Sequence, residues 1–359
     1  MIQALAGIHL AEIEKLLSPD IQRFRAKQIH KWINKGVSCF EQMTDIPVSL
    51  QKELNERFCI FSSVIDSIHE DGYTKKIVVA LGDGLKTESV LLNDGKDRLT
   101  ACISTQVGCP AGCVFCKTGS IGFKRNLSGQ EIVEQFLHLK RLSQEYSGMA
   151  NTSNPAFNNS GEHIIDNIVV MGMGEPLLNL DNLRSAIEVL NDKSGLNFSR
   201  RRITVSTCGI CEGLFDITYN GPFVRLALSL TTADEALRRK LMPITAKNPL
   251  DEVRKALLLF QKNGGGRLTL EIPLLGGINT GSKDAKSIAD FAKGLDTVIN
   301  IIPWNPVTGL EFEGKPLCEP EKKETQDFVR MLESYGLKVT KRLHKGKRIM
   351  GACGQLGTT

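Results

Sequence analysis

From Arg98 onward the chain repeats one pattern, a short run of apolar and β-branched residues followed by a stretch with helical spacing. The apolar runs are RLTACIS, IDNIVVMG, RRITVST, FVRLALSL, RLTLEIPL and TVINIIPW. The intervening segments include LDNLRSAIEVLN, DEALRRKLM, PLDEVRKALLLFQK and SKDAKSIADFAKGL, and KKETQDFVRMLESYG with LKVTKRL closes the series. Strands apolar on both faces must be covered on both faces, which a parallel sheet wrapped by helices provides. Six such units predict an α/β fold, a partial (β/α)6 barrel and not a closed ring of eight. Ser128, with Glu131 three residues later, is a capping-box signature that opens a helix running to about Tyr146.

The unusual polar motifs all fall just past the carboxyl ends of these strands. Cys109, Cys113 and Cys116 follow the first, Gly172-Met173-Gly174-Glu175-Pro176 the second and Ser206-Thr207-Cys208-Gly209 the third; Ser229-Leu230-Thr231 follows the fourth and Trp304-Asn305-Pro306 the sixth. Barrel active sites are built on that face, so the motifs are expected in one pocket.

Three cysteines spaced four and then three apart, among Gly108, Pro110, Ala111 and Gly112, let a short loop aim three thiolates at one centre. Structural zinc sites take four ligands and cubane iron–sulfur clusters usually take four cysteines. Three leave one iron open, able to chelate the amino and carboxylate groups of S-adenosylmethionine. The CxxxCxxC spacing, with Phe115 before its last cysteine, is that of radical S-adenosylmethionine enzymes. Buried structural cysteines are the alternative, and a Gly- and Pro-rich loop suits a cage better than a packed element. Gly172 and Gly174 allow close backbone approach to a ligand; Glu175 offers an acceptor for an ammonium or ribose hydroxyls. Ser206 and Asn305 suit a ribose or carboxylate, or simply cap their strands. Cys353, in GACGQL, lies on a small-residue loop expected to be flexible, and Cys102 ends the first strand. Two thiols outside the triplet suggest covalent catalysis, one carrying a group and the other releasing it.

Residues 1–62 read as a helical segment, with Ile2, Leu5, Leu10, Ile13 and Leu17 along one side of a first helix, Ser18 opening a second and Pro47 a third. Ile21, Phe24, Ile29, Trp32 and Ile33 would face inward; Arg23, Arg25, Lys27, Lys31 and Lys35 face outward, where they suit a phosphate backbone as well as solvent. Residues 63–97 predict a small β linker, KKIVVAL and TESVLL around a Gly82-Asp83-Gly84 turn, and 98–359 the catalytic domain. Ser147 to Glu162 is expected to be a surface insertion. With 45 basic and 40 acidic residues the net charge of +5 permits an RNA partner without requiring one. The opening residues lack a basic leader and no apolar run is long enough to span a membrane, so the ten cysteines are expected to be reduced, cytoplasmic thiols.

The stretches CISTQVGCPAGCVFCKTGSIGFKRNL, MGMGEPLLN, RRITVSTCGI, KLMPI, NIIPWNP and ACGQL, in this order, resemble the RlmN/Cfr family of radical S-adenosylmethionine RNA adenine methyltransferases, and RAKQIHKW resembles its accessory domain. The resemblance implies a [4Fe-4S] cluster on Cys109, Cys113 and Cys116. It implies S-adenosylmethionine contacts from Gly174, Glu175, Ser206, Ser229, Leu230, Thr231 and Asn305. Cys353 becomes the methyl carrier, Cys102 the resolving thiol and Glu88 the proton acceptor. Two S-adenosylmethionine molecules are used per turnover: one methylates Cys353, and the other yields a radical that takes hydrogen from the S-methyl group. The resulting carbon adds to adenine, and Cys102 frees the product by forming a disulfide with Cys353. A flavodoxin-type electron donor and a thiol reductant follow, and a monomer is expected. The implied substrate is an adenine of 23S rRNA and, as for RlmN, of tRNA. C2 is favoured by MGMGEPLLN and IIPWNP; C8, the Cfr outcome, is the alternative, because KLMPI and STCGI occur there too, and a divergent RNA methyltransferase with another target is a further one. Thr231 stands where most members have His, LTLEIPLLGGINTG replaces a usual EY-x-x-L-x-x-VND, and no acidic residue precedes ACGQL. Cys39, Cys59, Cys208, Cys211 and Cys318 have no role in that scheme and are expected to be structural. A non-catalytic zinc-binding RNA module is the reading from a different class.

Overall fold

The computed structural model describes residues 2–72, 74–93, 98–144, 165–341 and 346–357; the insertion expected at Ser147 to Glu162 lies outside them. The chain begins with β1 (Gln3–Ala4), α1 (Leu10–Leu17), α2 (Arg23–Lys35), α3 (Val48–Arg57) and β2 (Phe58–Cys59). The expected first helix is therefore shorter. Backbone bonds from Leu5 N to Cys59 O and Ala6 N to Ile60 O hold the preceding residues extended beside β2. Ser18 closes α1 instead of opening α2, whose N-cap is Gln22. Inward-facing Leu5, Ile13, Leu17, Ile29, Ile33, Phe40 and Leu54 are buried, and the core they form runs on into the rest of the molecule. Phe24 is exposed, contrary to expectation, with the Arg25 guanidinium over its ring.

Next come β3 (Val64–Asp71), β4 (Thr74–Ala80), β5 (Lys86–Asn93) and β6 (Leu99–Cys102). The β4–β5 turn is the expected one, closed by Leu81 N to Leu85 O and Gly84 N to Leu81 O. These strands do not form a separate small sheet. β5 pairs antiparallel with β6, Val90 opposite Cys102, so β3, β4 and β5 are one wing of a ten-stranded sheet.

Beyond β6 the chain makes β7 (Gln106–Gly108), α4 (Lys117–Ser120), β8 (Phe123–Asn126), α5 (Gly129–Gln144), β9 (Ile165–Val170) and α6 (Leu180–Asn191). There follow β10 (Ile203–Thr207), α7 (Cys211–Asn220), β11 (Arg225–Ser229), α8 (Glu235–Leu241), α9 (Leu250–Lys262), β12 (Leu268–Leu274), α10 (Ser282–Ala292) and β13 (Thr297–Pro303). A small hairpin, β14 (Glu311–Phe312) and β15 (Lys315–Pro316), precedes α11 (Lys322–Ser334) and β16 (Val339–Lys341). The predicted capping box is present: Ser128 N donates to Glu131 and Glu131 N to Ser128 Oγ. Strands β6, β9, β10, β11, β12, β13 and β16 lie side by side in chain order, all parallel. This is the α/β arrangement of six units expected, with β16 as an added edge strand. Because every crossover returns to the adjacent strand, all the strand-end motifs emerge on one rim.

The front segment is bolted to α5 by a buried polar group. The Glu134 carboxylate accepts from Ser62 N, Ser63 N and Ser63 Oγ, and Ser63 Oγ also meets His138 Nε2 at 3.1 Å. Among the described residues no helix is long and apolar enough to cross a membrane.

Candidate active site

A cleft of roughly 1050 Å³, mouth included, opens at the strand-end rim. Cys109, Cys113, Cys116, Gly174, Glu175, Ser206, Ser229, Asn305 and Cys353 all border it. The backbone dictates much of this. Gly108 has φ +73°, and a Cβ there would lie 1.7 Å from Gly122 O, so only glycine lets β7 and the chain before β8 close beneath the cysteine loop. The loop is then fixed by Cys109 N donating to Gly122 O and by Val114 N donating to Leu241 O at the end of α8.

Burial pushes the Cys109 thiol up to about 12, and burial together with the neighbouring sulfurs pushes Cys113 and Cys116 up as well. Three desolvated thiols facing one cavity ionise readily only when a cation takes up their charge, which is the chemistry of a metal centre. Among the described residues no three histidine, cysteine or carboxylate side chains converge tightly enough to wrap one ion. A cubane cluster makes no such demand, since each thiolate binds its own corner iron, and the three cysteines fit it.

Gly174, at φ +104°, turns the chain so closely over β7 that a Cβ would lie 2.6 Å from Gln106 Cβ. Glu175 is buried, and its carboxylate already accepts Leu177 N at 3.0 Å and Cys208 N at 2.7 Å. It therefore shapes the rim by joining the β9 and β10 loops, and burial raises its pKa. Ser206 Oγ and Ser229 Oγ are 3.2 Å apart on adjacent strands. Leu230 and Thr231, expected as ligand contacts, do not border the cavity. Leu230 is core, and Thr231 is fully buried at φ +63° with its hydroxyl unpartnered.

The Cys353 segment is pinned, not flexible. Asn305 Nδ2 donates to Cys353 O at 3.0 Å, Lys117 N to Gly354 O at 2.8 Å, Gln355 Nε2 to Pro306 O and Thr118 Oγ1 to Leu356 O. Glu88 receives Gly357 N at 2.9 Å and stands 3.6 Å from the Lys76 ammonium, both side chains buried. Cys102 lies in an apolar cluster with Val90, Met173 and Leu356, and of these only Leu356 also borders the cavity. Each of the ten cysteines lies outside any disulfide, so the Cys102–Cys353 bond is not formed. Sequence reasoning set Cys208 in a rim motif without giving it a role and missed Glu271; both border the cavity. A carboxylate inside the apolar run LTLEIPL was the available signal for the second.

Residues 4–60 match the model of the ribosomal RNA large subunit methyltransferase N-terminal domain, and residues 159–291 that of the radical SAM superfamily. A probable dual-specificity RNA methyltransferase RlmN of Treponema denticola is 46% identical, over 99% of this chain and 96% of its own length. The dual-specificity RNA methyltransferase RlmN of Lawsonia intracellularis is 39% identical over 99% and 96%. The crystal structure of a radical SAM methyltransferase from Sphaerobacter thermophilus, 33% identical, superposes with a TM-score of 0.88 over 99% of both chains.

Proposed function

Because the chain belongs to the RlmN family of radical S-adenosylmethionine RNA methyltransferases, we propose that it methylates C2 of an adenine in 23S rRNA and in tRNA, with Cys353 as the methyl carrier. The observation carrying this reading is that Cys353 borders the same cleft as Cys109, Cys113 and Cys116. Those three cysteines would hold a [4Fe-4S] cluster. With S-adenosylmethionine bound, two molecules being consumed per turnover, that centre supplies a methyl group for a thiolate and a radical able to take hydrogen from it.

The protein's part is to hold and resolve. Asn305 and Lys117 hold the carbonyls of Cys353 and Gly354, just past the carbon that bears the sulfur, which limits its sweep and favours one attack geometry. Glu88 takes the ring proton, its carboxylate oriented by Lys76 and Gly357 N. Cys102 then attacks the Cys353 sulfur, expelling the carbon now attached to the base, which takes up a proton to become the methyl group, and leaving a disulfide that an external thiol reduces. Leu356 touches both the Cys102 cluster and the cavity, so this side chain must yield for the sulfurs to meet. A flavodoxin-type donor supplies the electron; the protein works as a cytoplasmic monomer, and the front segment helps to engage the RNA.

The test is anaerobic reconstitution with iron, sulfide, S-adenosylmethionine, a reductant and protein-free ribosomal RNA, followed by nucleoside mass spectrometry. The expected product is 2-methyladenosine. Finding 8-methyladenosine instead moves the chain to the Cfr outcome. Cys353→Ala should abolish methylation while leaving S-adenosylmethionine cleavage, and a variant that still methylates RNA refutes the carrier role.

A further inference from the structure

Among the described residues the largest fully buried side chain is a cation. Arg238, on α8, has no exposed surface, and among the described residues no carboxylate lies within ion-pair reach of it. Its guanidinium donates to four neutral oxygens: Cys208 O at 2.6 Å, Thr245 Oγ1 at 2.7 Å, Leu230 O at 3.0 Å and Ser229 O at 3.3 Å. A buried charge without a counter-charge is among the most costly things a fold can contain. Glu235, a carboxylate whose charge bears on it, is already taken up by Arg239 and by Leu250 N. The other groups that bear on it are the thiols of Cys208, Cys113 and Cys211.

The cavity itself explains the need. Two acidic side chains, Glu175 and Glu271, border it, and among the described residues no basic one does. Arg238 stands one layer behind, bonded to the carbonyls of Cys208 and Ser229, which do border it. It also lies one helical turn from Leu241, whose carbonyl anchors Val114 in the cysteine loop. A cubane cluster on three thiolates is net negative and becomes more so on reduction, and charge and hydrogen bonding around such clusters set their potentials. We propose that Arg238 is the fixed counter-charge of the cluster site, a positioning residue that favours the reduced state while its fork ties the ends of β10 and β11 to α8. Lys240 and Arg239 on the same helix are exposed in ion pairs and take no part.

This rests on the cluster reading above. At an effective dielectric constant of about 20, one charge acting over about 10 Å changes an equilibrium constant about tenfold or more. The experiment is an EPR-monitored redox titration of the reconstituted full-length protein and its Arg238→Gln and Arg238→Lys variants. The Gln variant should be reduced about tenfold less readily, a potential about 59 mV more negative, and the Lys variant should stay within about threefold of wild type. An unchanged potential in the Gln variant overturns the proposal. Should that variant fail to take up a cluster, a Lys variant shifted by tenfold overturns it too, because hydrogen-bond geometry and not charge would then set the potential. A wild-type protein with no iron–sulfur signal would instead refute the cluster assignment itself.

Discussion

His138 offers a direct measurement of what the joint between the front segment and α5 costs. Its ring is stacked on Phe61 at 4.3 Å and meets Ser63 Oγ, but its Nδ1 has no partner. Burial, reinforced by the Arg141 charge, lowers its pKa from 6.5 to about 4. The unfolded chain therefore binds a proton between those values that the native state refuses, so this contribution to stability grows as pH rises through the window. Between pH 5 and pH 7 the gain is about 2 kcal/mol. Glu134 acts in the opposite sense: its pKa is raised from 4.5 to about 6, mainly by burial, and its contribution falls by about 1 kcal/mol over the same interval. Wild type should thus gain about 1 kcal/mol from pH 5 to pH 7 from this pair. His138→Phe keeps the stack, removes the orphaned nitrogen and forfeits one hydrogen bond, so at pH 7 it should fall within about 1 kcal/mol of wild type. With only Glu134 left titrating, the variant should lose about 1 kcal/mol from pH 5 to pH 7. Urea unfolding followed by tryptophan fluorescence at both pH values measures each number. A variant whose stability rises with pH in parallel with wild type would refute the assignment of the slope to His138.

Two further changes probe the rim. Gly174→Ala places a methyl group 2.6 Å from Gln106 Cβ on a left-handed backbone; it should cost about 2–4 kcal/mol in denaturant melts and weaken S-adenosylmethionine binding by calorimetry. Trp304→Phe removes the 2.8 Å bond from the indole to Phe115 O inside the cysteine loop. It should cost about 1 kcal/mol and make iron easier to strip with a chelator, followed by loss of visible absorbance.

The parallel strands and the rim motifs were legible because each strand is a long apolar run and each motif interrupts one at its end. What stayed hidden depends on contacts between distant segments. β3, VIDSIHED, is mostly exposed at the sheet edge and carries no clear burial signal. The joining of β5 to β6 is a pairing that local pattern does not encode. Leu230 and Thr231 sit at a strand end like their neighbours, yet the left-handed turn at Thr231 takes them off the cavity. In DEALRRKLM three basic residues look alike, and only the folded helix decides that Arg238 is the buried one. The pinning of Cys353 was equally invisible, because its partners Asn305, Pro306, Lys117 and Thr118 lie far away along the chain.

The ladder that runs unbroken from β16 to β3 has a mechanical corollary. Glu88 and Cys102 ride on the neighbouring strands β5 and β6, so the groups that the proposed function makes proton acceptor and resolving thiol are parts of one stiff plate with no hinge in the ladder between them. Such a plate cannot clamp down on its substrate by swinging one half against the other. Under the proposed function the burden of motion falls on the RNA, which would have to unstack its target base and thread it into the cleft, and on the few side chains, Leu356 first among them, that border the way in.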